Sequence, residues 1–134
     1  MTRRPLLQNH SIATRLLVPP PPPRTGKVYL KHGRRAEMEL ATVGVAVSLT
    51  RDGDTCRELR IVLAAVAPTP LRACGAEALL RGARIDAEAI EAAACGARDE
   101  SRPIGDVRGS ADYRRQMVQV LTRRAIERAW KEAA

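Results

Sequence analysis

Two runs of alternating residues, joined through an Asp-Gly pair, commit this chain to a sheet built on an antiparallel hairpin. In Leu40–Thr50, Val43, Val45, Val47 and Leu49 fall on one face, while Thr42, Gly44, Ala46 and Ser48 fall on the other. In Arg57–Val66, Leu59, Ile61, Leu63 and Ala65 alternate with Arg60, Val62, Ala64 and Val66. A period of two, rich in β-branched residues, marks strands. Between the runs lies Arg51-Asp52-Gly53-Asp54, where Asp-Gly supplies the positive φ of a tight turn. A shorter run, Lys27–Lys31, puts Val28 and Leu30 on one side and Tyr29 and Lys31 on the other. The expectation is a three-stranded antiparallel sheet.

The remainder reads as helix. Ala67-Pro68-Thr69-Pro70 ends the sheet, because proline cannot donate to a ladder. Leu71–Arg81 predicts a short helix with Leu79 and Leu80 inward, stopped by Gly82. A second helix starts at Asp86, a capping residue, with Ile85 stapled onto Ile90, and runs to about Cys95 before Gly96. Asp99–Gly109 reads as a polar loop. Ser110 caps the longest helix, Ala111–Glu132, with Met117, Val120, Leu121, Ala125 and Ala129 inward. Three strands followed by three helices packed on them is an α+β domain over residues 27–134. Residues 1–26 read as a disordered or extended, basic lead-in that includes five consecutive prolines, Pro19–Pro23, in a polyproline II segment.

The net charge of +8 suggests nucleic acid until it is located. Eight basic residues (Arg3, Arg4, Arg15, Arg24, Lys27, Lys31, Arg34 and Arg35) precede the first acid, Glu37, and account for the whole excess. The rest of the chain balances fifteen basic against fifteen acidic residues. A neutral body with no Phe, one Trp and two Tyr offers few rings for base stacking, so no nucleic-acid partner is expected. Cys56, Cys74 and Cys95 are widely spaced and lack a C-x-x-C pair, which argues against a metal site and for free thiols in a cytoplasmic protein. No apolar run approaches the roughly 20 residues of a membrane span. There is no Ser/His/Asp set and no phosphate-binding glycine motif, so no catalytic residue is assigned. Residue chemistry by itself leads to a small module that works through a partner or a shared ligand.

Several stretches nevertheless carry a family resemblance. Pro19–Gly26 followed by Tyr29-Leu30-Lys31 resembles the entry to the C-terminal domain of the FAD-binding, or medium, subunit of the molybdenum hydroxylases, which include xanthine dehydrogenase and aerobic carbon monoxide dehydrogenase. Lys31 to Ala41 resembles the family's K-x-x-x-R-x-x-x-D-I-A signature through Lys31, Arg35 and Ala41, with Glu39 and Leu40 in place of Asp-Ile. Ala64–Ala73 is similar to its strand-to-helix crossing, and Asp106–Arg115 to the loop that opens its last helix.

That resemblance implies a piece of an oxidoreductase in which electrons pass from molybdenum through iron–sulfur clusters to FAD. It implies that Lys31 reaches the flavin ring, with Arg35 as a second neighbour paired with Glu39. The cofactor-binding expectation is therefore Lys31, Arg35 and Glu39 toward FAD. The partners implied are the iron–sulfur subunit, the molybdenum-cofactor subunit and a separate FAD-binding half. The family's N-terminal domains, which hold the FAD pyrophosphate, have no counterpart in these residues. The expectation is thus a split subunit or a truncated remnant that does not hold FAD tightly alone. The competing reading is an assembly module that uses the polyproline segment and the basic arm.

Overall fold

The computed structural model describes residues 11–35 and 38–134. The expectation of no stable fold for residues 1–10 lies outside the described residues. The chain runs β1 (Thr25–His32), β2 (Val43–Asp52), β3 (Thr55–Ala64), β4 (Leu71–Arg72), α1 (Cys74–Leu80), α2 (Ala87–Glu100) and α3 (Ala111–Glu132). The strands form one antiparallel sheet in the order β1-β2-β3-β4. The expected hairpin forms, with Asp52 opposite Thr55 and Gly53 at φ 59°. One register shift leaves Arg57 unpaired in β3, a bulge that adds local twist.

Period-two alternation buries one face of the sheet. Val43, Val45, Val47, Leu49, Leu59, Ile61 and Leu63 are all buried, with Val28 and Leu30 of β1 packed at the margin. The longest helix, α3, crosses β1 and β2, while α1 packs against β3 and α2 joins the two. The approach of α3 is close enough that a Cβ on Gly26 would lie 1.9 Å from the Ala129 carbonyl oxygen. The caps expected from sequence form: Asp86 accepts from the Ala89 amide at 2.8 Å and Ser110 from the Tyr113 amide at 3.2 Å.

Four local readings need correction. A fourth strand follows the prolines, because Leu71 and Arg72 turn back to pair with Leu63 and Val62. The helix expected over 71–81 consequently starts at Cys74, and Leu79 is exposed while Leu80 is buried. Gly96 does not stop α2. It sits against α1, where a Cβ would lie 3.4 Å from the Ala76 Cα, and the helix runs on to Glu100. In α3 the buried set is Arg114, Val118, Leu121, Thr122, Ala125, Ile126 and Ala129; Met117 and Val120 are only half-buried.

Two buried charges complete the architecture. The Ala73 amide donates to the Ile61 carbonyl, but the chain then enters α1 and cannot answer the Ile61 N–H. Glu77 Oε1 accepts that N–H at 2.9 Å, so a side chain extends the ladder where backbone runs out. The Glu77 carboxylate, 1% exposed, is held by Arg72 in a two-point contact at 2.8 Å and by Arg81 at 3.7 Å. The second buried charge, Arg114, is 5% exposed. Its Nη1 donates to the carbonyls of Ala65 at 3.1 Å and Thr42 at 3.3 Å, and its Nη2 lies 2.6 Å from Asp106 Oδ1. The Arg108 amide and then Arg114 hold the Asp106 carboxyl below its ordinary range.

Glu77→Ala strands the Ile61 N–H in the core and is expected to cost about 2 kcal/mol in urea unfolding. Arg81→Ala, which removes only a half-exposed partner, is expected to cost less than about 1 kcal/mol. The depressed Asp106 carboxyl contributes stability that is present above its unfolded value and is lost as pH falls through its lower folded value. Asp106→Asn should therefore be clearly destabilised at neutral pH and converge on the wild type at the acid end of a urea-unfolding series.

Candidate functional site

The alternation that buries one face of the sheet leaves the other facing outward. Cross-strand register organises that open face into three rows: Lys27–Ser48–Arg60, Tyr29–Ala46–Val62 and Lys31–Gly44–Ala64. Small and apolar residues fill the middle of the face, and cations stand at its edges. A shallow trough of about 420 Å³ runs over Lys27, Tyr29, Ala46, Ser48, Arg60 and Val62. The Tyr29 ring, 59% exposed, leans over Gly44, where a Cβ would meet its hydroxyl at 2.9 Å.

Lys31 leads out of β1 into the loop that carries Arg35 and Glu39. The structure brings these three residues together, but not by the pairing expected. Lys31 Nζ donates to the Glu39 carbonyl at 3.3 Å. The Glu39 carboxylate accepts the backbone amide of Arg35 and faces the guanidinium of Arg34 at 3.6 Å, leaving the Arg35 guanidinium outside the contact. Partial desolvation pushes the Glu39 carboxyl up, but the Arg35 amide and the charges of Arg34 and Arg35 outweigh it and hold the group below its ordinary range. Glu39 is thus occupied in shaping the loop. Among the described residues neither Lys31 nor the Arg35 guanidinium pairs with a carboxylate.

Both ends of this loop are tied to the start of α3. The Thr42 amide donates to the His32 carbonyl at 2.8 Å and closes the loop. His32 Nε2 and Tyr113 Oη lie 2.8 Å apart, and Arg114 grips the Thr42 carbonyl. Sequence reasoning placed Tyr29 and Arg60 opposite the apolar sides of their strands but gave neither a role in a site, and it gave none to His32, Tyr113 or Arg114. For the first two, the strand pairing supplies what alternation within one strand lacks, the rows that set them side by side. The others meet across 81 and 72 residues and have no local signal. Thiol chemistry has no place at Cys56, whose burial pushes it up to about 11, against an opposing pull from Arg81.

Residues 28–129 match the CO dehydrogenase flavoprotein C-terminal domain family. The chain is 36% identical over 129 residues to the carbon monoxide dehydrogenase medium chain of Hydrogenophaga pseudoflava, covering 96% of this chain and 45% of that one. It is 28% identical over 111 residues to the xanthine dehydrogenase FAD-binding subunit of Escherichia coli, covering 83% and 38% respectively. Among solved structures, carbon monoxide dehydrogenase from Hydrogenophaga pseudoflava superposes with a TM-score of 0.84 at 41% identity, over 87% of this chain and 40% of that one. Quinoline 2-oxidoreductase from Pseudomonas putida gives 0.77 at 31% identity, over 83% and 39%. The chain spans less than half the length of each of these relatives.

Proposed function

The chain belongs to the CO dehydrogenase flavoprotein C-terminal domain family, and on that premise we propose that its open sheet face and β1–β2 loop close one side of a flavin site in a molybdenum-containing oxidoreductase. The observation that carries this reading is the donor set: two cations without carboxylate partners among the described residues, beside an apolar trough with an exposed aromatic ring. An aromatic, anionic cofactor fits such a surface, and FAD is one. A bound FAD would supply electron transfer. Lys31 would place its ammonium against the ring system and favour negative charge there. Arg35 would offer a second cation, and Glu39 would hold the loop that carries both. The trough residues would exclude water from the ring.

These residues contain no glycine-rich loop to cradle a pyrophosphate, so tight FAD binding requires the nucleotide-holding part of the subunit. We further propose that the domain works within an assembly holding an iron–sulfur subunit and a molybdenum-cofactor subunit in the cytoplasm. A second use of the chain is favoured by Ile12, Leu16, Leu17 and Val18, all at least 74% exposed on the arm ahead of the prolines. That arm would serve as an assembly contact.

The test is purification of the tagged chain with its partners from the native cell, with flavin read by absorbance. Recovery with flavin, molybdenum and iron is expected, and the chain stripped of partners should be colourless. Lys31→Gln is expected to weaken flavin retention about tenfold. Equal retention in Lys31→Gln and wild type would sink the proposed contact.

A further inference from the structure

We infer that the first turn of α3 positions the flavin-facing loop, with Tyr113 and Arg114 as the positioning residues, an inference that rests on the flavin reading above. The loop leaves β1 at His32 and rejoins β2 at Val43, and its two feet meet through the Thr42 amide on the His32 carbonyl. One hydrogen bond closes the loop, and each foot has its own anchor on α3. His32 is tied to Tyr113 at 2.8 Å, with the rings tilted at 58° and 5.9 Å apart. Thr42 is tied to Arg114, which at the same time holds the carbonyl of Ala65 and the carboxylate of Asp106.

The two anchors are successive residues of a helix, so they point about 100° apart. One faces outward, with Tyr113 40% exposed, and the other inward, with Arg114 5% exposed. Tyr113 adds little to the core, and its hydroxyl spends itself on the loop. Arg114 also grips the carbonyl of Ala65, whose φ of 62° is a backbone that an alanine adopts only under constraint from its surroundings. Lys31 immediately precedes His32, so fixing the His32 ring fixes the strand end from which the ammonium projects. The pair of anchors makes the loop that follows Lys31 and carries Arg35 a pre-ordered contact surface, which lowers the entropy lost when a ligand docks.

The test uses the full chain and needs no flavin for its first readout. Tyr113→Phe keeps the ring and removes only the hydroxyl. Amide exchange at Gly33–Arg35 and Met38–Ala41 is expected to rise about fivefold, with the urea midpoint and exchange in α2 unchanged. His32→Gln, which retains a side-chain partner for Tyr113, should keep most of the protection, whereas His32→Ala should lose it. Combining Tyr113→Phe with His32→Ala should add nothing to either change alone. Loop exchange at wild-type rates in both Tyr113→Phe and His32→Ala would overturn the positioning role. In the purified assembly, the same two variants are expected to retain flavin less well. Faster loop exchange with undiminished flavin retention would overturn the link to the cofactor, and Lys31→Gln then decides the flavin reading separately.

Discussion

A sheet with large aliphatic side chains on one face and small or mixed ones on the other must be covered on the first side, and the rest of this molecule follows from that asymmetry. Valine and leucine on one side of β2 and β3 demand helices. Of the small residues on the opposite side, Gly44 makes room for the Tyr29 ring, while Ala46 and Ser48 keep the trough beside it shallow. Burial is the larger effect, since each fully buried aliphatic side chain contributes about 1.5–3 kcal/mol before entropy is counted. With so few aromatics, the core relies on short aliphatic side chains and on close backbone approach, as at Gly26 beneath α3.

Two buried charges act where regular structure stops. Glu77 answers an amide at the end of a ladder, and Arg114 answers two carbonyls where the chain leaves β3 and enters β2. Neither group is there to gain Coulomb energy, because desolvation offsets most of it. Each instead makes one geometry the only well-satisfied one. An apolar residue at either place would leave main-chain groups buried without partners.

The surplus of positive charge acquires a structural meaning in this frame. Lys27, Lys31 and Arg35 belong to β1 and its loop, on or beside the open face, and Arg60 joins them from β3. Many acids of the body are engaged elsewhere: Glu77 in the core, Asp106 beneath Arg114, and Glu100 at the Ala76 amide that opens α1. Among the described residues, Lys27, Lys31, Arg35 and Arg60 have no carboxylate partner and lie on or beside one surface. Part of the charge excess that resembles a polyanion signal in the totals, Lys27, Lys31 and Arg35, is thus placed on β1 and the loop that follows it.

Sequence alone determined the three long strands, the Gly53 turn, the α+β order and both ends of α3, because these depend on periodicity and capping within a few residues. The family resemblance also singled out Lys31 and Arg35 toward one cofactor, with Glu39 as the partner of Arg35. Tertiary structure decided how those three meet, with Glu39 taking the Arg35 amide and leaving the Arg35 guanidinium outside the contact. It also decided that Gly96 serves packing and not termination, that Leu71 and Arg72 form a strand, and that Arg114 lies buried. Those outcomes depend on partners far away in sequence: a helix for Gly96, β3 for Leu71, two carbonyls and a carboxylate for Arg114. A local pattern records which residues can be buried, but only the packed chain decides which polar groups must satisfy one another once they are.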